Sequence, residues 1–211
     1  KGKYYAVPIV LDSLEEGVRQ MVKDGFQGFN VTVPHKQSIM ALCDELDETA
    51  KAVGAVNTVV IKDGKLSGMN TDVYGFTENI KNAMRGFGYS WSLENGPALI
   101  LGAGGAARAA VFGLAQEGVE KIYIANRTRE KAESLIELAP DVIEVIDWKQ
   151  RSSLLPEMNF IANTTSLGMS GKGTLDMDFS SANPDLLVHD IVYNPLYTEL
   201  LKEARAHDLR I

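Results

Sequence analysis

Cysteine is almost absent from this 211-residue chain: Cys43 stands alone. An internal disulfide and a cysteine-rich metal site are thereby excluded, which fits a reducing compartment and a cytoplasmic protein. Positive charge is in deficit, with 21 Lys and Arg against 28 Asp and Glu and a formal charge of −7. Any basic patch is therefore local, and a nucleic-acid surface is not indicated. No apolar run approaches the ~20 residues of a membrane span, and no signal peptide is expected. Internal repeats and low-complexity tracts are lacking as well. What remains is 45% hydrophobic, enough for a packed core, in a length that suits two small domains or one large one.

The most informative stretch is Pro97-Ala98-Leu99-Ile100-Leu101-Gly102-Ala103-Gly104-Gly105-Ala106-Ala107. A short apolar run passes through a glycine turn into an alanine-rich helix start, as a buried parallel strand hands over to a phosphate-binding helix N-terminus. Gly102 suits the tight turn, Gly104 lets backbone N–H groups approach a pyrophosphate, and Ala107 stands where a third small residue packs helix on strand. A helix over 109–116, a cap near Gly118 and a second strand over 121–125 complete a βαβ unit. An NAD site usually carries Asp or Glu at the end of that second strand. Here Asn126, Arg127 and Thr128 stand there, with Lys131 one turn on. A carboxylate would repel a 2′-phosphate and a guanidinium can grip it, so the chemistry points to NADP. The plainer alternative is a solvated basic helix start at Arg127, Arg129 and Lys131.

Before the glycine loop, the pattern predicts a strand over 4–10, an amphipathic helix over 14–23 and a strand over 28–33. A helix over 35–42 and an acidic helix over 44–52 follow. Strand and helix alternate, which argues for a parallel α/β unit. In that unit Asn30 and Thr32 share a face. Lys36 falls in a first helical turn against the dipole, and so reads either as a functional residue or as an ordinary surface lysine. Two strands over 54–61 and 65–70 flank the hairpin signal Asp63-Gly64. Asp72 reads equally as an N-cap for a helix over 73–84 and as a catalytic carboxylate. Residues 89–96 read as a linker after Gly86 and Gly88. Beyond the second Rossmann strand, a helix over 129–138 and strands over 142–146, 159–163 and 186–193 are expected, then a helix over 198–206. Asn163-Thr164-Thr165-Ser166-Leu167-Gly168-Met169 follows a strand end and suits either cofactor contacts or a plain turn. His189 reads as a core or edge residue, and no metal site is expected. The chain opens almost directly on a strand and stops at Arg210-Ile211 where another is due, so further segments are expected at both ends.

With these pieces in order, the sequence resembles the shikimate dehydrogenase family. The resemblance rests on Asn30-Val-Thr-Val-Pro-His-Lys36, Gly54-Ala-Val-Asn57-Thr58, Asn70-Thr-Asp72, Gly102-Ala-Gly-Gly-Ala-Ala107, Asn126-Arg127-Thr128, Asn163-Thr-Thr-Ser-Leu-Gly-Met169 and Asp190-Ile-Val-Tyr193. It implies reduction of 3-dehydroshikimate by NADPH. The implied fold is an α/β substrate domain over 1–86 and a Rossmann NADP domain over 87–211, with the site in a cleft between them. Lys36 and Asp72 match the family's catalytic pair. Thr32, Asn57 and Tyr193, with that pair, match substrate-binding positions. Gly102, Ala103, Gly104, Gly105 and Ala106 match the cofactor loop. Asn126, Arg127, Thr128 and Lys131 match the 2′-phosphate pocket, Thr165 and Ile191 lie beside the cofactor, and Glu48 matches a weaker cofactor-side position. Two family stretches are not in this sequence: an N-terminal one with paired serines and a C-terminal Gly-Met-Leu one with its glutamine. A quinate/shikimate dehydrogenase using NAD, or a non-catalytic ligand-binding relative, is the alternative. The partner implied is a small molecule, with neither nucleic acid nor membrane, and a homodimer is compatible with the sequence.

Overall fold

The computed structural model describes residues 2–87, 93 and 96–211. Backbone contacts divide the chain into two units, Lys1–Thr71 and Asp72–Ile211.

In the first unit, α1 (Leu14–Lys23) forms as the amphipathic pattern predicts and buries Leu14, Val18 and Met21. Gly25, at φ 77°, releases the chain from it. A four-stranded sheet runs β1-β3-β4-β2, with β1 Gly28–Asn30, β2 Glu45–Leu46, β3 Thr58–Lys62 and β4 Lys65–Met69. Asp63 (φ 52°) and Gly64 (φ 75°) close the β3–β4 hairpin between paired Lys62 and Lys65. Positive φ at both central residues is what a two-residue type I′ turn requires. Between β2 and β3, α2 (Glu48–Val53) is capped by the Asp47 side chain and ended by left-handed Gly54. Val18, Met21, Ile39, Val56, Val59 and Leu66 fill the core between α1 and the sheet.

Several expectations fail in this unit. The sheet is mainly antiparallel, because β3 inserts between β1 and β4; only β2 and β4 run parallel. Residues 4–10 form no strand, and Tyr4, Tyr5 and Val10 are exposed. Strand propensity is realised only where a neighbour offers a ladder. β1 ends at Asn30, so the alternation expected through Val33 stops. Val33 is 77% exposed, and Pro34 has no N–H for a ladder. Residues 33–37 form a turn leading into a 3₁₀ helix, Ser38–Leu42. Lys36 therefore lies in a turn before the 3₁₀ helix begins, and the dipole argument for it falls. Asp44 is not helical: its carboxylate takes the N–H of Leu66 at 2.7 Å, drawing residues 45–46 alongside β4.

The second unit opens with α3 (Asp72–Phe87), which packs on α4 (Gly105–Gln116). Gly113 permits the approach, since a Cβ there would meet Thr77 Cγ2 at 2.8 Å. The division at 71/72, rather than at the expected 86/87, follows from this packing. Gly88 and most of the expected linker over 89–96 lie outside the described residues. Five parallel strands follow: β5 Ala98–Leu101, β6 Ile122–Ala125, β7 Ile143–Ile146, β8 Phe160–Asn163 and β9 Leu187–Asp190. Their order is β7-β6-β5-β8-β9, the doubly wound arrangement that reverses direction at β5/β8. β5 shows why both faces must be covered. Ala98 and Ile100 join the core with Leu114 and Ile124, while Leu99 and Leu101 join the opposite core with Leu155 and Leu200. Such a strand has no polar face and reads as a continuous apolar run. The helix expected over 129–138 breaks into α5 (Arg129–Glu133) and a 3₁₀ turn, Ile136–Leu138. The last strand is shorter than expected, and α6 (Glu199–Ala206) is capped by Thr198. Leu187 and Arg210 form a single parallel bridge at the sheet edge.

Candidate active site

In the first unit the expected substrate-side residues lie near where β1 and β4 end and β3 begins. Asn57 is the knot. Its backbone carbonyl takes the N–H of Val31 at 2.8 Å, and its own N–H goes to Met69 O at 3.1 Å. Its side chain takes the N–H of Thr71 at 3.0 Å and donates to Thr71 Oγ1 at 2.9 Å. Thr58 Oγ1 also donates to Asn57 Oδ1 at 3.0 Å. A buried amide satisfied on so many sides is costly to remove, because its partners stay buried. Nearby, Asn70 Nδ2 binds Ala55 O at 2.8 Å. Lys36 is half-buried, and its carbonyl accepts the Val56 N–H at 2.7 Å, beside Asn57. Thr32 is exposed. Together with Asn30 and His35 it lines a cavity of about 130 Å³ under the N-terminal segment. Glu48 stands apart, 92% exposed and paired with Lys51 at 2.7 Å, which holds its carboxyl below its usual value.

In the second unit the expected residues fall, one after another, at the C-terminal ends of parallel strands. That is where ligands bind in open α/β sheets. Gly102 follows β5 with φ 115°, and a Cβ there would meet Thr164 Oγ1 at 2.7 Å. That oxygen is itself fixed, donating to Leu101 O at 2.7 Å. Gly104 is the N-cap of α4, and nothing would lie within 4 Å of a Cβ on it. Ala103, Gly105 and Ala106 complete a small-residue rim at this helix start, partly exposed. Open backbone N–H groups at a helix N-terminus, without side chains in the way, fit a pyrophosphate. Asn126 follows β6 and donates to Thr128 O at 2.7 Å, shaping the turn. Arg127 and Lys131 are exposed, and neither makes an ion pair among the described residues, whereas Arg129 is engaged with Glu133. These free cations fit a 2′-phosphate, and no carboxylate occupies the strand end. Asp72 is half-buried in the first turn of α3 rather than at its cap, where a carboxylate complements the dipole.

Thr165 and Ile191 follow β8 and β9. Tyr193 is 85% exposed. What holds these loops is a set of residues to which the family resemblance gave no individual role. Asn163 and Asp190, the last residues of β8 and β9, are register partners. Asn163 Nδ2 donates to Asp190 Oδ1 at 2.9 Å and to Leu167 O at 3.0 Å. Its Oδ1 accepts Thr165 N at 3.0 Å and Thr165 Oγ1 at 2.7 Å. Asp190 also accepts the Val192 N–H at 2.9 Å and the Thr198 hydroxyl at 2.7 Å. Burial pushes the Asp190 carboxyl up, and the three donors pull it back. The available signal was a polar residue closing each of two parallel strands that open on buried apolar residues. His189 packs against Phe76 at 5.3 Å and against Phe160, and burial pulls its pKa down to about 4. No group of ligating side chains among the described residues could hold a metal ion. No helix among them is long and apolar enough to cross a membrane.

Two family models match: a shikimate dehydrogenase substrate-binding domain over residues 1–59 and shikimate/quinate 5-dehydrogenase over residues 82–170. Shikimate dehydrogenase (NADP(+)) of Paramagnetospirillum magneticum is 44% identical over 97% of this chain and 73% of its own length. That of Methylobacterium radiotolerans is 43% identical over 99% and 73%. Among solved structures, shikimate dehydrogenase of Aquifex aeolicus has a TM-score of 0.84 and 34% identity, covering 96% of this chain and 71% of that one. The Thermus thermophilus enzyme in complex with NADP(H) and shikimate has a TM-score of 0.79 and 32% identity, over 96% and 72%. Quinate dehydrogenase of Corynebacterium glutamicum with NAD has a TM-score of 0.82 and 32% identity, over 93% and 70%. The chain belongs to the shikimate dehydrogenase family.

Proposed function

We propose that the chain is an NADP-dependent shikimate dehydrogenase, reducing 3-dehydroshikimate to shikimate, with Lys36 and Asp72 as its catalytic pair. The observation that carries the cofactor choice is the end of β6. Asn126 and Arg127, which makes no ion pair among the described residues, stand where an NAD site would present a carboxylate. Gly102 to Ala106 receive the pyrophosphate, and Asn126, Arg127, Thr128 and Lys131 receive the 2′-phosphate. Thr165 and Ile191 flank the reactive half of the dinucleotide, with Glu48 at its margin. Residues 1–86 act as the substrate domain and 87–211 as the NADP domain, although α3 packs on α4 and so groups with the second unit by contacts.

NADPH, when bound, supplies a hydride to the substrate carbonyl carbon. The chain's own residues handle the oxygen. The Lys36 ammonium polarises it and gives it a proton as negative charge develops. The Asp72 carboxylate accepts a hydrogen bond from a substrate hydroxyl in the same region. Thr32, Asn57 and Tyr193 bind the remaining hydroxyl groups, and Asn57 fixes the Thr71-Asp72 backbone as well. The single cysteine and the acidic balance support a cytoplasmic enzyme of small molecules, without nucleic-acid or membrane partners. A homodimer is the assembly to test by sedimentation.

Initial rates with shikimate and with quinate, each with NADP+ and with NAD+, test the reading. Shikimate with NADP+ is expected to dominate the four combinations. Preference for NAD+, or equal use of quinate, would contradict it and favour a quinate/shikimate dehydrogenase.

A further inference from the structure

The pyrophosphate turn follows β5 and the 2′-phosphate cations follow β6, so one half of a dinucleotide lies on the β6 side of the switch point. The other half must then run over the ends of β8 and β9. That rim is braced by one hydrogen-bonded set: buried Asn163 and Thr198 with half-buried Asp190. Asn163 holds Thr165 through both its N–H and its hydroxyl. Asp190 bonds Asn163 on one side and the Val192 N–H on the other. Its second oxygen takes the hydroxyl of Thr198, whose oxygen caps α6. Two further contacts tie the same loops. Ser170 N–H binds Asn194 O at 3.2 Å. A Cβ on Gly168 would touch Thr198 at 3.3 Å.

We infer that Asp190 is a positioning residue for the nicotinamide half of the cofactor, acting through Asn163 and Thr198 on the backbone of Thr165 to Leu167 and of Ile191 to Tyr193. This rests on the NADP reading above. It goes further, because Asp190 need not touch the dinucleotide. The brace is confined to the β8–β9 side, so its loss loosens one half of the cofactor site and leaves the Arg127 half alone.

The test titrates the intact enzyme with NADPH and, separately, with 2′,5′-ADP, which fills only the adenosine half. The variants are Asp190→Ala, Thr198→Val and the conservative Thr198→Ser, with melting temperatures recorded alongside. Where Asp190→Ala fails to fold, Thr198→Val carries the test. NADPH affinity is expected to fall about tenfold in Asp190→Ala or Thr198→Val, as for a buried bond to a charged acceptor. Affinity for 2′,5′-ADP should stay within about twofold, and Thr198→Ser should bind like the parent. Equal weakening of both ligands would mark a merely structural residue and overturn the inference, as would unchanged NADPH affinity. If the parent binds neither ligand, the cofactor reading itself falls and the inference with it. Unchanged variants of a parent that binds both would sink the inference alone.

Discussion

The two units hold their functional residues by different means. In Asp72–Ile211 the cofactor-side positions are strand ends and one helix start, so the backbone of a parallel sheet places them. In Lys1–Thr71 the substrate-side positions lie outside strands and helices, and Asn57 is fixed among them by side-chain bonds to Thr58 and Thr71. Topology tolerates substitution of single side chains far better than such a knot does. Chemistry that needs an oriented amide or ammonium is therefore expected to be fragile in the first unit. Binding in the second should fail in steps, one contact at a time.

The sharpest way to break that contrast is at the acidic member of the pair, which opens the second unit yet is assigned to the substrate side. Asp72→Asn is expected to lower kcat by about 10²-fold or more, the scale of lost acid–base assistance, with NADPH affinity retained. Steady-state kinetics beside a fluorescence titration would read both, and a loss of NADPH binding alone would take Asp72 off the substrate side. Next in size, Arg127→Ala should raise KM for NADPH about 10- to 100-fold, the worth of charge-assisted hydrogen bonds, while leaving KM for NADH nearly unchanged. Equal shifts for the two cofactors would remove Arg127 from the 2′-phosphate site. Gly102→Ala forces a Cβ into a positive-φ turn and onto Thr164. A melting point lower by about 2–8 °C is expected, with weakened NADPH binding; calorimetry reads the first.

The smallest effect concerns His189. Its folded-state pKa of about 4 lies below the ordinary 6.5, because burial disfavours the charged ring. The unfolded chain therefore takes up the proton first as pH falls. Stability from the neutral ring is fully present above pH 6.5 and is lost as pH drops toward 4. Melting curves across this window should decline less steeply for His189→Leu than for the parent. Identical slopes would mean that the ring is protonated equally well in the folded state.

The same contrast explains how much could be read from residues alone. Pro97 to Ala107 announced strand, turn and helix because each step uses residues with few alternatives: four buried apolar positions, a glycine at φ 115°, then alanines. The Asp63-Gly64 hairpin was legible for the same reason. The antiparallel order of the first sheet was not, since β3 inserts between strands distant in sequence and no local pattern encodes that. The expected helical turn at Lys36 failed because residues 33–37 turn before the 3₁₀ helix begins. Asn57 was singled out by family resemblance, yet its bonds to Thr71 and Thr58 only become visible in three dimensions. Asp190 and Asn163 stood in plain view in their motifs. Nothing in one-dimensional order reveals that they are register partners on adjacent strands.

One experiment bears most directly on the division of labour proposed for the two units. NADPH absorbance is followed in a single turnover with 3-dehydroshikimate, for the parent and for Lys36→Ala, after NADPH affinity has been measured on the same samples. Rapid oxidation by the parent is expected, with a rate about 10²- to 10⁴-fold lower in the variant at unchanged NADPH affinity. Equal rates for the two proteins would contradict the assignment of proton transfer to the first unit.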